Sequence, residues 1–97
     1  METLKKVVVV GDGGREQAIG LKLAESEEVG QVYLCPDPET PFLSNKMAGL
    51  KIDPSHFEDL SKFSLKEKID LVVIGPEVPL VNGLTDFLEE KGIPQKT

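Results

Sequence analysis

Short runs of apolar, β-branched residues alternate along the chain with longer amphipathic stretches. The clearest runs end abruptly in glycine: Val7–Val10 precedes Gly11, and Leu71–Ile74 precedes Gly75. Near-continuous apolar runs of this length predict strands that are buried on both faces of a parallel sheet. We therefore predict four strands, at Leu4–Val10, Gln31–Cys35, Met47–Ile52 and Leu71–Ile74.

Three amphipathic stretches between and after these strands predict helices. Arg15–Glu25 is rich in Ala, Leu, Lys and Glu and predicts a helix that Gly30 ends. The second helix starts either after the cap Asp53 with Pro54 in the first turn, or with a capping box formed by Ser55 and Glu58. Its apolar positions are Phe57, Leu60 and Phe63, and those of the last helix, which ends at Gly92, are Val81, Leu84, Phe87 and Leu88.

The order strand, helix, strand, strand, helix, strand, helix predicts an α/β fold. A mostly parallel sheet of about four strands, with right-handed crossovers and helices on both faces, makes a Rossmann-like domain of three layers. We assign residues 1–92 to this domain. The polar tail, residues 93–97, is expected to be disordered or to be the start of a strand whose remainder is missing.

Composition narrows the classes of partner. The 97 residues carry a formal net charge of −6, which disfavours nucleic acid and anionic membranes because like charges repel. The apolar runs are too short to span a bilayer, and no secretory cleavage pattern follows the first of them. The single cysteine, Cys35, excludes an intramolecular disulfide and fits a reducing cytosol, so we expect a cytoplasmic protein.

Two glycine turns are the candidate ligand site. Ligands of parallel sheets gather beyond the carboxyl ends of the strands, where Gly11-Asp12-Gly13-Gly14 and Gly75-Pro76-Glu77 fall. Glycine lets the backbone approach a ligand, and the first amides of the following helix favour an anion. The alternative is that these glycines only make tight turns between strand and helix.

Two common nucleotide motifs are not completed. A dinucleotide fingerprint needs a third glycine where Glu16 stands and an acidic residue where the second strand ends in Cys35-Pro36. A phosphate-binding loop of the Walker type would need Gly-Lys-Ser/Thr. An exposed Asp12 carboxylate costs a bound phosphate on the order of 1 kcal/mol, which backbone bonds of roughly 1.5–3 kcal/mol each outweigh if Asp12 points outward.

Other polar residues near the turns have two interpretations each. Arg15 either binds a phosphate or pairs with an acidic residue, and Glu16 either contacts a ligand or caps its own helix. Glu77 either accepts hydrogen bonds from a ribose or an amine, or caps the last helix. His56 is expected on the solvated surface, and Cys35 is expected to be a thiol of the core. No spacing typical of a metal site occurs in the sequence.

Two segments resemble the phosphoribosylamine–glycine ligase family of purine biosynthesis. They are VVVVGDGGREQA, residues 7–18, and KIDLVVIGPEVPLVNG, residues 68–83. The resemblance extends over nearly the whole chain and implies the pre-ATP-grasp domain that precedes the ATP-grasp domain of this ligase. In the family, ATP and magnesium activate glycine as an acyl phosphate, which the amine of 5-phosphoribosylamine attacks.

The resemblance implies that this domain forms the sugar-phosphate side of the active site. The implied substrate-binding positions are Gly11, Gly13, Gly14, Arg15, Glu16, Gly75, Pro76 and Glu77. The resemblance assigns no catalytic residue, metal ligand or cofactor to this chain, because the ATP and magnesium ligands lie in parts of the ligase outside it. The expected partners are a ribose phosphate and the ATP-grasp domain.

The chain departs from the family pattern at several positions. The family usually has Ser in place of Asp12, His in place of Gln17, Pro-Gly-Asn-x-Gly in place of residues 36–40, and Phe-Gly-Pro near residues 95–97. The changes at Asp12 and Gln17 make anion binding less favourable. Two further hypotheses therefore stay open: a scaffold without a ligand that associates with itself or a partner chain, and a nicotinamide-binding domain.

Overall fold

The chain folds into a five-stranded parallel sheet with three helices. The computed structural model describes residues 4–11, 13–39, 41–42, 44–75 and 81–96. In chain order the elements are β1 (Lys5–Val10), α1 (Gly14–Ala24), β2 (Val29–Cys35), β3 (Met47–Gly49), α2 (Phe57–Lys66), β4 (Leu71–Ile74), α3 (Val81–Glu90) and β5 (Gln95–Lys96). The strand order β3-β2-β1-β4-β5 is that of a Rossmann-like fold.

Strand β1 is the centre of the sheet and divides two cores. Its valines alternate between the faces, so that Val8 and Val10 face one core while Val7 and Val9 face the other. The first core receives Leu60 from α2 and the buried leucines Leu84 and Leu88 from α3. The second receives Ala24 and the neighbouring apolar residues of α1. These cores make the three predicted layers, and the predicted fold class is confirmed.

The sheet has one strand more than the four expected. Gln95 and Lys96 pair with Val72 and Val73 of β4 as a parallel edge strand, β5. Two residues without an apolar side chain carry too weak a pattern for sequence analysis to recognise. The division of the chain at residue 92 stays a prediction, and Thr97 lies outside the described residues.

The predicted ends of several elements are wrong. Helix α1 ends at Ala24, and Gly30 does not end it but lies inside β2. The Leu4 side chain packs against Gly30, so that a Cβ at Gly30 would stand 2.7 Å from Leu4 Cβ. The third strand ends at Gly49 and does not reach Ile52.

Neither predicted cap of the second helix forms. The N-cap of α2 is His56, whose side chain makes no capping hydrogen bond. The Asp53 carboxylate instead accepts hydrogen bonds from the amide of Ser55 at 2.9 Å and from its hydroxyl at 2.7 Å. Asp53 and Ser55 thus satisfy each other in the loop, because short polar side chains bond readily to backbone two residues on.

Candidate functional site

The first residues of the two glycine turns, Gly11 and Gly75, lie side by side at the carboxyl edge of the sheet. Val10, the last residue of β1, is in register with Cys35 of β2 and with Ile74 of β4. Beyond these residues, the Gly11 amide donates to the Cys35 carbonyl at 2.9 Å, and the Gly75 amide donates to the Val10 carbonyl at 2.9 Å. The parallel topology therefore brings the starts of both turns together, as the sequence predicts.

Two residues of the first turn, Gly11 and Gly13, pack closely against the Glu16 side chain; we call them the packed half. Gly11 has a φ of +144°, a conformation that other residues rarely adopt. A Cβ at Gly11 would overlap Cγ of Glu16 and stand 2.6 Å from its Cδ. A Cβ at Gly13 would stand 3.0 Å from Glu16 Oε1. Any side chain at Gly11 would therefore displace Glu16.

Glu16 is the buried polar group under this turn. Only 1% of its surface is exposed, although it carries a carboxylate. Its Oε1 accepts a hydrogen bond from the Gly13 amide at 3.0 Å. Gly13 is the N-cap of α1 and has an extended backbone, with φ −91° and ψ 170°. Glu16 therefore makes the side-chain half of a capping box, which confirms the capping role that the sequence left open.

The next two residues, Gly14 and Arg15, face outward; we call them the open half. Both are exposed, and within the described part of the chain a Cβ at Gly14 would meet no atom within 4 Å beyond its chain neighbours and its own helix backbone. The first helical hydrogen bond of α1 runs from the Gln17 amide to the Gly13 carbonyl at 3.3 Å. Within the described part of the chain, the amides of Gly14 and Arg15 donate no hydrogen bond. The open half thus offers two amides and a guanidinium at the positive end of a helix dipole.

Three of the residues singled out in the sequence are outside the described ranges. In the sequence Asp12 stands between Gly11 and Gly13, and Pro76 and Glu77 follow Gly75. Of the eight implied substrate-binding positions the structure places six: five lie between the end of β1 and the first turn of α1, and Gly75 lies beside the end of β1. Arg15 makes no ion pair with any residue that the structure describes.

Cys35 lies beneath the same edge and is chemically protected. It is fully buried, and its Sγ donates to the Ile52 carbonyl at 3.2 Å. Burial, with a smaller contribution from the negative charge of Asp53, raises the pKa of the Cys35 thiol to about 12. A thiol with this pKa is not a nucleophile at neutral pH, which confirms the prediction of a core cysteine.

His56 is confirmed as a surface residue. Its side chain is 63% exposed, and Nδ1 lies 3.8 Å from a carboxylate oxygen of Asp59, one turn away along α2. The nearby Asp53 is also exposed, and the backbone and side-chain hydrogen bonds from Ser55 hold its pKa below the usual range. Both groups have local partners, so neither is directed at a ligand.

A shallow apolar groove borders α1 on the side of the β2–β3 loop. It has a volume of about 200 Å³ and is lined by Gln17, Ala18, Leu21, Pro41, Phe42 and Met47. Sequence analysis missed it, because the groove depends on how the loop after β2 lies against the helix.

The described residues contain neither a metal cluster nor a membrane span. Across residues 4–11, 13–39, 41–42, 44–75 and 81–96, no three His, Cys, Asp or Glu side chains stand close enough to hold a metal ion. None of the three helices is both long and apolar enough to cross a bilayer.

Comparison with known sequences gives matches along nearly the whole chain. The family "Phosphoribosylglycinamide synthetase, N domain" matches residues 5–96. A phosphoribosylamine–glycine ligase of a Nostoc species is 41% identical over 88 residues, which are 91% of this chain and 21% of that protein. The trifunctional purine biosynthetic protein adenosine-3 of Drosophila melanogaster is 45% identical over 92 residues, which are 92% of this chain and 7% of that protein. The chain spans about a fifth or less of these curated relatives.

Comparison with solved structures confirms the fold. RSP, a Rex-family repressor, is similar with a TM-score of 0.61 and 16% identity over 93% of this chain and 42% of that one. The structure of RSP in complex with beta-NADH gives a TM-score of 0.59 at 19% identity, over the same shares of the two chains. At such low identity the likeness shows a Rossmann-like architecture alone.

Proposed function

Since the chain belongs to the phosphoribosylglycinamide synthetase family, whose N domain it matches over residues 5–96, we propose that it forms the sugar-phosphate side of the ligase that joins glycine to 5-phosphoribosylamine. The resemblance of residues 7–18 and 68–83 to that family is confirmed by this match. The phosphate of the ribose lies at the open half of the Gly11–Gly14 turn, with Gly75 and Glu77 beside the sugar.

One observation carries this assignment: the N-terminal end of α1 is exposed to solvent. Gly14 and Arg15 are exposed, and among the described residues beyond its chain neighbours and its own helix backbone, none has an atom within 4 Å of a Cβ built at Gly14. A phosphate there gains charge-assisted hydrogen bonds from two amides, each on the order of 1.5–3 kcal/mol. These bonds act locally and outweigh the repulsion from a chain with net charge −6, which water and salt screen.

The complete reaction belongs to a longer protein. We propose that ATP and magnesium activate glycine on the ATP-grasp domain, and that this domain is the partner of the present chain. We expect the ATP and magnesium ligands in the other parts of that protein, and therefore place no step of that chemistry on this chain. On its own the chain binds the ribose phosphate without catalysing the ligation. We also propose that it works in the cytoplasm, with the rest of the pathway for purine biosynthesis.

Isothermal titration calorimetry of the chain with glycinamide ribonucleotide tests the proposal. We expect saturable binding to the wild type and at least about tenfold weaker binding to Gly14→Ala, because one lost charge-assisted hydrogen bond corresponds to about that factor. The added methyl group stands where the phosphate approaches, and it makes no close contact with the described residues outside its own helix.

A ligand-silent chain would give a different result. Absence of heat at millimolar glycinamide ribonucleotide, together with a stable dimer in sedimentation, would favour the alternative of an association module. Equal affinity in the wild type and Gly14→Ala would place the ligand elsewhere on the molecule.

A further inference from the structure

Glu16 stands out because it is a charged side chain in the interior. Its 1% exposure compares with 2% for each of Ser61 and Ser64, the other polar residues that the described part of the chain buries. Burial of a carboxylate is costly and is tolerated where hydrogen bonds compensate it. Its Oε1 accepts a hydrogen bond from the Gly13 amide at 3.0 Å.

We propose that Glu16 is the positioning residue of the ribose-phosphate site: it holds the packed half of the turn so that the open half faces the ligand. This inference rests on the proposed function. Glu16 acts through Gly13, since a side chain with 1% exposure does not reach a molecule in solvent. It is therefore not assigned a direct contact with the ribose.

The hydrogen bond decides which amides meet the phosphate. Because the Gly13 amide donates to Glu16, it points under the turn and is not available to a ligand. The amides that follow, those of Gly14 and Arg15, belong to the first turn of α1 and have no acceptor within the helix. Of the amides of Gly13, Gly14 and Arg15, Glu16 thus leaves the last two available to the anion.

The shape of the turn is fitted to the same side chain. The position of a Cβ at Gly11 is filled by Cγ, Cδ and Oε1 of Glu16, the last two at 2.6 and 2.8 Å. Gly11 is in turn anchored to β2 through its amide, which donates to the Cys35 carbonyl at 2.9 Å. The carboxylate therefore ties the helix start to the sheet, and a shorter side chain would leave the turn without support.

Two substitutions separate the reach of Glu16 from its charge. Glu16→Gln keeps the length and an oxygen acceptor but removes the charge. Glu16→Asp keeps the charge but withdraws the oxygen by one methylene. We would measure the affinity of each variant for glycinamide ribonucleotide by calorimetry, and the chemical shift and hydrogen exchange of the Gly13 amide by NMR.

If Glu16 is a positioning residue, Glu16→Gln should bind more tightly than Glu16→Asp. Glu16→Gln should keep the affinity within about threefold and keep the Gly13 amide protected, whereas Glu16→Asp should lose at least about tenfold, with faster exchange at Gly13. These readouts follow the turn and not the overall stability, since the remaining amides of the sheet should stay protected in both variants.

Other outcomes overturn the inference. Weaker binding of Glu16→Gln than of Glu16→Asp would mean that the charge itself meets the ligand. Unchanged affinity and an unchanged Gly13 amide in both variants would mean that Glu16 does not hold the turn. If the wild type itself fails to bind, the proposed function fails, and the Gly13 amide alone then decides whether Glu16 holds the turn.

Discussion

The packed half and the open half, which together connect β1 to α1, use glycine for different reasons. Gly11 is required by the fold, because its φ of +144° and the neighbouring Glu16 leave no room for a side chain. Gly14 has ordinary backbone geometry, and no packing contact of the described residues beyond its own helix requires glycine there. A glycine that the fold does not need is best explained by what approaches it from outside.

The largest expected effect is on stability, at the packed half. Gly11→Ala should lower the free energy of unfolding by about 3 kcal/mol or more, since a strained backbone costs about 1–3 kcal/mol and overpacking about 1–3 kcal/mol. Urea denaturation measures this change.

Gly92→Ala is a matched control for that measurement. Gly92 also has a positive φ, +75°, but a Cβ there would meet no atom of the described residues within 4 Å beyond its chain neighbours. Gly92→Ala should lower the free energy of unfolding only by the cost of backbone strain, about 1 kcal/mol. Equal losses at the two positions would mean that Glu16 does not fill the space under Gly11.

A smaller effect, about 2 kcal/mol between about pH 8.5 and pH 10, is expected from the thiol of Cys35, the residue whose carbonyl accepts from the Gly11 amide of the packed half. The folded Cys35 thiol has its pKa raised to about 12, while an unperturbed thiol ionises near about 8.5. The unfolded chain therefore loses this proton first, so stability is fully present below about pH 8.5 and falls as pH rises towards 12, by up to about 1.4 kcal/mol per pH unit.

The contribution of the Cys35 thiol to this pH dependence is measured by comparing the urea denaturation of the wild type and Cys35→Ala at about pH 8, 9 and 10. The difference in stability between the two proteins should shrink as pH rises, because the variant has no thiol to ionise. A difference that stays constant would show that the thiol ionises equally in the folded and unfolded chains.

The smallest effect on stability is expected at the open half. Gly14→Ala should change the free energy of unfolding by less than about 1 kcal/mol, because a Cβ there makes no close contact and alanine has the higher helix propensity. Urea denaturation of this variant belongs beside its calorimetry. A large loss of stability would remove the distinction between the two halves.

Sequence analysis was sufficient for the fold because the strands are strongly patterned. Leu71–Ile74 is found as predicted, and β1 begins one residue later than expected, at Lys5. Predictions that depended on a single residue fared worse. Gly30 is inside a strand, where the side chain of Leu4 packs against it. Contacts between residues distant in sequence decide such positions, and they leave no local pattern.

For the same reason, only part of the candidate site could be predicted from the sequence. The glycines followed by a helix indicated the turn, and the spacing from Gly13 to Glu16 is typical of a capping box. The burial of Glu16 under Gly11 could not be predicted, because it follows from the positive φ of Gly11 and its hydrogen bond to β2. Only the folded turn separates the glycine that the fold needs from the glycine that stays open.

The most direct test of this account is an NMR titration of ¹⁵N-labelled chain with glycinamide ribonucleotide. The amides of Gly14 and Arg15 should shift strongly on saturation, while the Gly13 amide, held by Glu16, should move little. A shift at Gly13 as large as that at Gly14, or binding that leaves all three amides unmoved, would contradict it.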